Sequence, residues 1–269
     1  MSNPIPPQII KSFLTKNDCY KAGRIISVKG LMLHSVGCSQ PSANAFLKSW
    51  NQPGVSACVH AFIDANTGIV YQTLPWNYQG WHCGGTGNNN YIGVELCEPQ
   101  SIEYTHGAAF IDHSPSNTSA AVDRTYQAAV TLFAYLCSQY HLDPGKDGVI
   151  LSHREGHRRG IATNHGDPEH LWTPFGQTMN AFRRDVQAAL SPIAQTASHR
   201  IPYQVIVVPD SLNIRSGPGT NYSVVGQIKH GEVYTITQES HGKGASRWGK
   251  LKSGAGWLSL DFTNAKTEN

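Results

Sequence analysis

The chain has 269 residues, 39% of them hydrophobic. Adding its 26 glycines and setting aside its 11 tyrosines gives an apolar share of roughly 45%, that of an ordinary globular protein, which excludes disorder and a fibrous repeat. The net charge of +3 comes wholly from residues 200–269, with 8 Lys/Arg against 5 Asp/Glu, since residues 1–199 hold 13 of each; that excess argues against a nucleic-acid partner and suits a modest attraction to an acidic polymer.

No apolar stretch approaches the ~20 residues of a membrane span, and the opening Met1 to Pro7 has no basic segment followed by an apolar one, so neither membrane insertion nor Sec export is expected. In chain order, apolar runs bounded by turn residues predict strands at KGLMLHSVG, VHAFIDANTGIVYQTL, NNNYIGVELCE and GVILSHRE. Helical spacing predicts helices over 43–50, 125–142 and 173–190. Residues 105–118 read as a surface insertion. The expected architecture of residues 1–190 is α/β, a mixed central sheet flanked by helices. Residues 191–202 carry Ser, Pro, Ala, Gln and Thr without periodicity and read as a linker. Short β-branched runs over 203–265, separated by Gly, Pro, Asn and Ser, predict a small all-β barrel. The six cysteines (19, 38, 58, 83, 97 and 137) show no CxxC and no framework spacing. Most are expected to be buried free thiols.

Ten of the 13 histidines fall in residues 1–190. His34 and His153 each follow an apolar run and so sit near a strand end, where a rigid sheet holds side chains against an open cleft. Two imidazoles, one carboxylate and a fourth position left to water make a common catalytic zinc set, and Asp167 is the natural third member. The rival pairing is His153 with His157 on one helix face. It lacks the glutamate directly after the first histidine and carries Gly156 within the turn. Each histidine taken alone reads better as an ordinary hydrogen-bonded core residue.

The segments LMLHSVG, VHAFIDANTGIVYQTLPWNYQGWHCG, NNNYIGVELCEP and SHREGHRRGIATNHGDPEHLW, in that order, resemble the zinc-dependent N-acetylmuramoyl-L-alanine amidases of the phage-lysozyme and peptidoglycan-recognition type over about residues 20–190. The resemblance implies Zn2+ on His34, His153 and Asp167, and Glu95 as the group that takes a proton from water. A carboxylate between Val94 and Leu96 is costly unless paired or poised for proton transfer. His165 stands where relatives carry Lys or Thr to hold the oxyanion, and an imidazole can donate there. Val59 stands where some relatives have a tyrosine, so no donor is expected there. His60 reads as structural or as a support to the metal ligands. His82 resembles a substrate-contacting histidine of the cleft wall and Trp81 beside it is placed to stack on sugar or peptide; the alternative is a satisfied histidine and a packed aromatic. Arg154, Arg158 and Arg159 read as carboxylate contacts or as a solvated turn. LNIRSGPG, followed by RWGKLKSGAGWLSLDF, resembles the bacterial SH3-like wall-binding domains, with Leu212 and Ile214 pointing inward.

These resemblances imply a peptidoglycan hydrolase that cuts between N-acetylmuramic acid and L-alanine with peptidoglycan as its partner. With no export signal, a phage or prophage endolysin is expected, made in the host cytoplasm, released by a separate pore-forming protein and active at the cell wall. The competing functions are a non-catalytic wall-recognition protein, a glycosidase using Glu95 and Asp167, and a thiol peptidase using Cys83. The last is disfavoured because adjacent strand residues point to opposite faces.

Overall fold

The computed structural model describes residues 7–190 and 202–266. The expected linker lies, except for Pro202, outside the described residues. The chain divides into two compact units, residues 1–195 and 196–269. Among the described residues no helix is long and apolar enough to cross a membrane.

The first unit runs β1 (Ile9–Lys11), α1 (Asp18–Ala22), β2 (Gly30–Ser35), α2 (Ala43–Trp50), β3 (Ala61–Ile63), β4 (Val70–Gln72), β5 (Tyr91–Leu96), β6 (Ile102–Tyr104), β7 (Phe110–Asp112), α3 (Pro115–Tyr140), β8 (Ile150–Ser152), α4 (His153–Arg158), α5 (Glu169–Trp172) and α6 (Met179–Leu190). Six strands form a mixed sheet in the order β1-β4-β3-β5-β2-β8, with β5, β2 and β8 parallel. Every residue of β2 is buried, as expected of a parallel central strand covered on both faces. The main core joins Leu31, Leu33, Ile92 and Val94 of the sheet to Tyr126, Phe133, Trp172 and Phe182 of the helices. The aromatic rings among them meet edge-on or tilted at 5.1–5.6 Å, the geometry aromatic quadrupoles favour.

The surface insertion expected over 105–118 is exposed over 105–109 but is shorter than expected and not irregular. Residues 102–104 and 110–112 pair as an antiparallel hairpin, and the following helix begins ten residues earlier than expected, at Pro115. Proline is preorganised for a first helical turn, where its missing N–H costs nothing, and Thr118, Ala121 and Val122 are already buried. The helix expected over 173–190 is also interrupted: α5 and a 3-10 turn end at Gly176, whose φ of +76° is a left-handed stop, before α6 begins. In α4 the weakness that Gly156 brings is offset by a capping box, in which the Ser152 hydroxyl accepts from Glu155 N and the Glu155 carboxylate accepts from Ser152 N.

A close backbone approach explains one glycine. A Cβ at Gly93 of β5 would lie 2.4 Å from Cγ of His82, whose ring is hydrogen-bonded at both nitrogens. Gly93→Ala is expected to destabilise the protein by about 1–3 kcal/mol, as overpacking does. Urea unfolding checks this; an unchanged midpoint would show that the ring can yield.

The second unit contains β9 (Tyr203–Val207), β10 (Ser211–Arg215), β11 (Val224–Lys229), β12 (Val233–Gly242), β13 (Ala245–Leu251), β14 (Trp257–Ser259) and β15 (Thr263–Ala265). They form an antiparallel sheet in the order β11-β10-β14-β13-β12-β9-β15. Leu212 and Ile214 are buried against Val205, Val207, Ile236 and Leu258, so alternate residues of β10 face the core, as the period of a strand requires. Trp248 and Trp257 are buried, whereas Tyr222 is exposed. All six cysteines are unpaired, four of them buried.

Candidate active site

Three neighbouring parallel strands deliver the chemistry to one edge of the sheet. His34 is the penultimate residue of β2, Glu95 is its register partner on β5, and His153 is the first residue after β8. The outer ends of parallel strands are where open α/β sheets form their clefts. Asp167 arrives from the loop after α4. That loop is pinned by hydrogen bonds from Thr163 N to Cys83 O (2.8 Å) and from Gly87 N to Ile161 O (2.9 Å).

His34, His153 and Asp167 converge, all three buried, with one candidate ligand atom from each within 4.8 Å of the others. His34 Nδ1 lies 3.0 Å from His153 Nδ1 and 3.4 Å from Asp167 Oδ2, while His153 Nδ1 lies 3.5 Å from Asp167 Oδ1. These separations match the edges of a tetrahedral zinc site, about 3.3 Å for ligand bonds near 2.05 Å.

The surrounding hydrogen bonds fix the tautomers. His82 Nε2 faces the carbonyl of Tyr91 at 3.1 Å and must donate to it, so the neutral ring accepts at Nδ1 from His34 Nε2, 2.9 Å away. His34 Nδ1 therefore keeps its lone pair. The Thr163 hydroxyl donates to Cys83 O at 3.1 Å and can accept from His153 Nε2 at 3.2 Å, the tautomer that turns the Nδ1 lone pair of His153 inward. In these tautomers two imidazole lone pairs and a carboxylate face one another, an arrangement that a cation satisfies. Burial lowers the pKa of His34. It lowers that of His82 far more, with the neighbouring His34 and His60 adding to the effect, so both rings are neutral near pH 7. Asp167 Oδ2 also accepts from Ser35 N at 3.3 Å, a contact that favours the ionised carboxylate.

A cleft of about 630 Å³ opens over this cluster, and Trp81, His82, Glu95 and His165 are among its lining residues. Glu95 Oε2 is covered and has no hydrogen-bond partner. Burial, reinforced by the charges of Asp167 and Glu98, pushes its pKa well above the ordinary carboxylate value. His165 is exposed, and its Nδ1 lies 3.3 Å from His153 Nε2 and 3.1 Å from Thr163 Oγ1. Trp81 is 53% exposed, its backbone held by paired hydrogen bonds with Cys58.

The remaining sequence candidates lie elsewhere. His60 is buried, with Nε2 on Tyr78 O at 2.7 Å and Nδ1 accepting from Gly93 N at 3.0 Å, a structural role. His157 sits outside the cluster, its Nδ1 near Ala162 O. Burial pushes the Cys83 thiol up, away from a reactive thiolate. Arg158 and Arg159 line a different concavity. The sequence reading missed Thr163, and also a network in the cleft wall: the Tyr104 hydroxyl donates to Glu98 Oε2 and accepts from His170 Nε2, both at 2.6 Å. Glu98, with no exposure, also accepts from Gly37 N at 3.1 Å. The cleft thus contains a tyrosine despite Val59, brought by β6. The signals that could have found the network are the second glutamate three residues after Glu95 and the histidine three residues after Asp167.

Residues 24–170 match the family model described as N-acetylmuramoyl-L-alanine amidase, and residues 210–264 match that of the bacterial SH3 domain. The N-acetylmuramoyl-L-alanine amidase CwlH of Bacillus subtilis is 30% identical over 96 residues, which cover 34% of this chain and 38% of CwlH. The bifunctional autolysin of Staphylococcus aureus is 25% identical over 140 residues, 52% of this chain and 10% of the autolysin. The chain therefore spans well under half the length of these curated relatives. The crystal structure of S. aureus hydrolase AmiA in complex with its ligand superposes with a TM-score of 0.52 at 20% identity, covering 69% of this chain and 84% of AmiA, a likeness of fold.

Proposed function

Because the chain belongs to the N-acetylmuramoyl-L-alanine amidase family, we propose that it hydrolyses the amide between N-acetylmuramic acid and L-alanine of the peptidoglycan stem peptide, with His34, His153 and Asp167 holding Zn2+. The observation that carries this reading is the convergence of two imidazole Nδ1 atoms and a carboxylate beneath an open cleft. When bound there, zinc would lower the pKa of water toward neutrality and polarise the scissile carbonyl. Glu95 accepts the proton of the attacking water and passes it to the leaving amine. Its unpartnered Oε2 and raised pKa suit a group that must hold a proton in mid-reaction. His165, on the cleft lining with Nδ1 3.3 Å from His153 Nε2, steadies the developing oxyanion by donating from its imidazole. Trp81 offers an indole face to sugar or peptide at the rim. The site of action is the bacterial cell wall, and the SH3-like unit keeps the enzyme on that insoluble polymer.

His82 serves the cleft wall by fixing the tautomer of His34 rather than by contacting substrate through its nitrogens. His82→Ala is therefore expected to weaken zinc binding by about 10–100-fold, the usual effect of losing a group that orients a metal ligand. Competition against a chromophoric chelator measures this, and an unchanged affinity would remove His82 from the metal's support.

Mass spectrometry of digested Gram-positive wall, with and without chelator, tests the reaction. New L-alanine amino termini that disappear with chelator and return with zinc are expected. New reducing sugar ends would mean a glycosidase, and no products at all would mean a binding protein. The glycosidase reading is disfavoured by Asp167, whose two oxygens face the imidazoles at 3.4 and 3.5 Å rather than the second wall of the cleft.

A further inference from the structure

A second concavity of about 450 Å³ lies where the loop before β8, the end of α4 and the start of α6 meet, and it shares no lining residue with the catalytic cleft. Its charges are lopsided in a stretch of chain that is otherwise balanced. Four cations, Lys146, Arg158, Arg159 and Arg183, face it with only two carboxylates, Asp147 and Glu155.

Both carboxylates are already committed. Glu155 takes a two-pronged ion pair from Arg183, 2.9 Å at each oxygen, and also caps α4. Asp147 is bound by Arg159. Arg183 is spent in turn, donating also to Ile150 O at 2.9 Å and Asn180 Oδ1 at 3.0 Å. Among the described residues no hydrogen bond or ion pair is made by the Lys146 ammonium or the Arg158 guanidinium. Both residues are exposed at the surface. The two pairs cancel and leave a surplus of two positive charges in one concavity. Asn180, which also lines the concavity, accepts from Arg183 through its oxygen and so keeps its amide nitrogen for a ligand. A guanidinium fork, an ammonium and an amide together match a ligand with several acceptor oxygens on one centre better than a single carboxylate.

We propose that this concavity is a binding site for phosphate-bearing anions, with Lys146 and Arg158 supplying the charge and the Arg183–Glu155 pair the rigid wall. In a protein that works on a wall polymer the source would be a phosphodiester-linked chain; free phosphate would satisfy the same donors. The choice of source rests on the wall-polymer reading, whereas the anion site itself does not, because binding requires no turnover. It assigns a place to Arg158, which the sequence reading left between substrate contact and solvated turn.

The test is isothermal titration of the full chain at physiological ionic strength with inorganic phosphate and, separately, with an oligomer of glycerol phosphate. Both should bind saturably, and a tighter oligomer would identify the polymer as the source. The double variant K146Q/R158Q should weaken both by tenfold or more while leaving hydrolysis of an uncharged soluble muramoyl peptide unchanged. Neither side chain has a partner to lose, so the variant should fold as the parent does, which a thermal melt verifies. Absence of saturable binding by either probe, or equal binding by parent and double variant, would overturn the proposal. Activity of the parent on the soluble peptide is scored in the same series, so failure of the anion site and failure of the amidase reading give separate signatures.

Discussion

Replacing Glu95 by glutamine is expected to lower kcat by about 10²–10⁴, the usual worth of a positioned general base, while bound zinc stays at one per chain. The amide keeps the size and hydrogen-bonding reach of the side chain but cannot carry the proton from water to the leaving amine. His34, His153 and Asp167 make their contacts without Glu95, so the metal should remain. The acidic limb of the kcat profile, displaced above the ordinary carboxylate range because burial raises Glu95, should vanish in the variant. Stability should move the opposite way. A carboxyl whose folded pKa is raised contributes its full stability below the unfolded pKa and loses it as pH rises through the folded one. At neutral pH Glu95 is thus a liability to the metal-free fold, and glutamine should raise its melting temperature. A variant with unimpaired kcat, or one that loses zinc along with activity, would remove Glu95 from the proton transfer.

Much of this site was legible because its parts are strand ends. His34 and His153 terminate apolar runs that read as buried strands, and Glu95 breaks a third such run with a charge. Once those three strands lie side by side, the three side chains share one edge. What the residue pattern could not give is the direction of the hydrogen bonds. That His82 spends both nitrogens, on His34 and on Tyr91 O, depends on β5 passing so close at Gly93 that no Cβ fits. Tyr104 escaped notice for a topological reason. The segment after β5 contains Thr, His, Gly, Ser, Pro and Asn, the composition of a loop, yet it folds as a hairpin followed by the first turns of α3, because Pro115 can start a helix as well as end one. The break at Gly176 was hidden in the same way: the apolar spacing of 173–190 continues across it, and only the left-handed backbone reveals two helices.

Asp167→Ala is expected to abolish measurable hydrolysis, and its informative consequence is in stability. With both Nδ1 lone pairs aimed at the carboxylate, the native state presents a cation site that the unfolded chain lacks. A ligand that binds only the folded form adds stability in proportion to the logarithm of its concentration over Kd, about 4 kcal/mol at a thousandfold excess. Unfolding of the parent should therefore shift by about that amount between chelator and such a zinc excess, while Asp167→Ala should show little shift. Because burial keeps His34 neutral and Asp167 accepts from Ser35 N, little proton release should accompany zinc binding at neutral pH, in contrast to a site whose ligands must first be deprotonated. Titration in buffers of different ionisation enthalpy reads that proton count directly. If several protons are released per zinc, the tautomers deduced from His82 and Thr163 are wrong. If zinc stabilises Asp167→Ala as well as the parent, the metal is held elsewhere and the site must be redrawn.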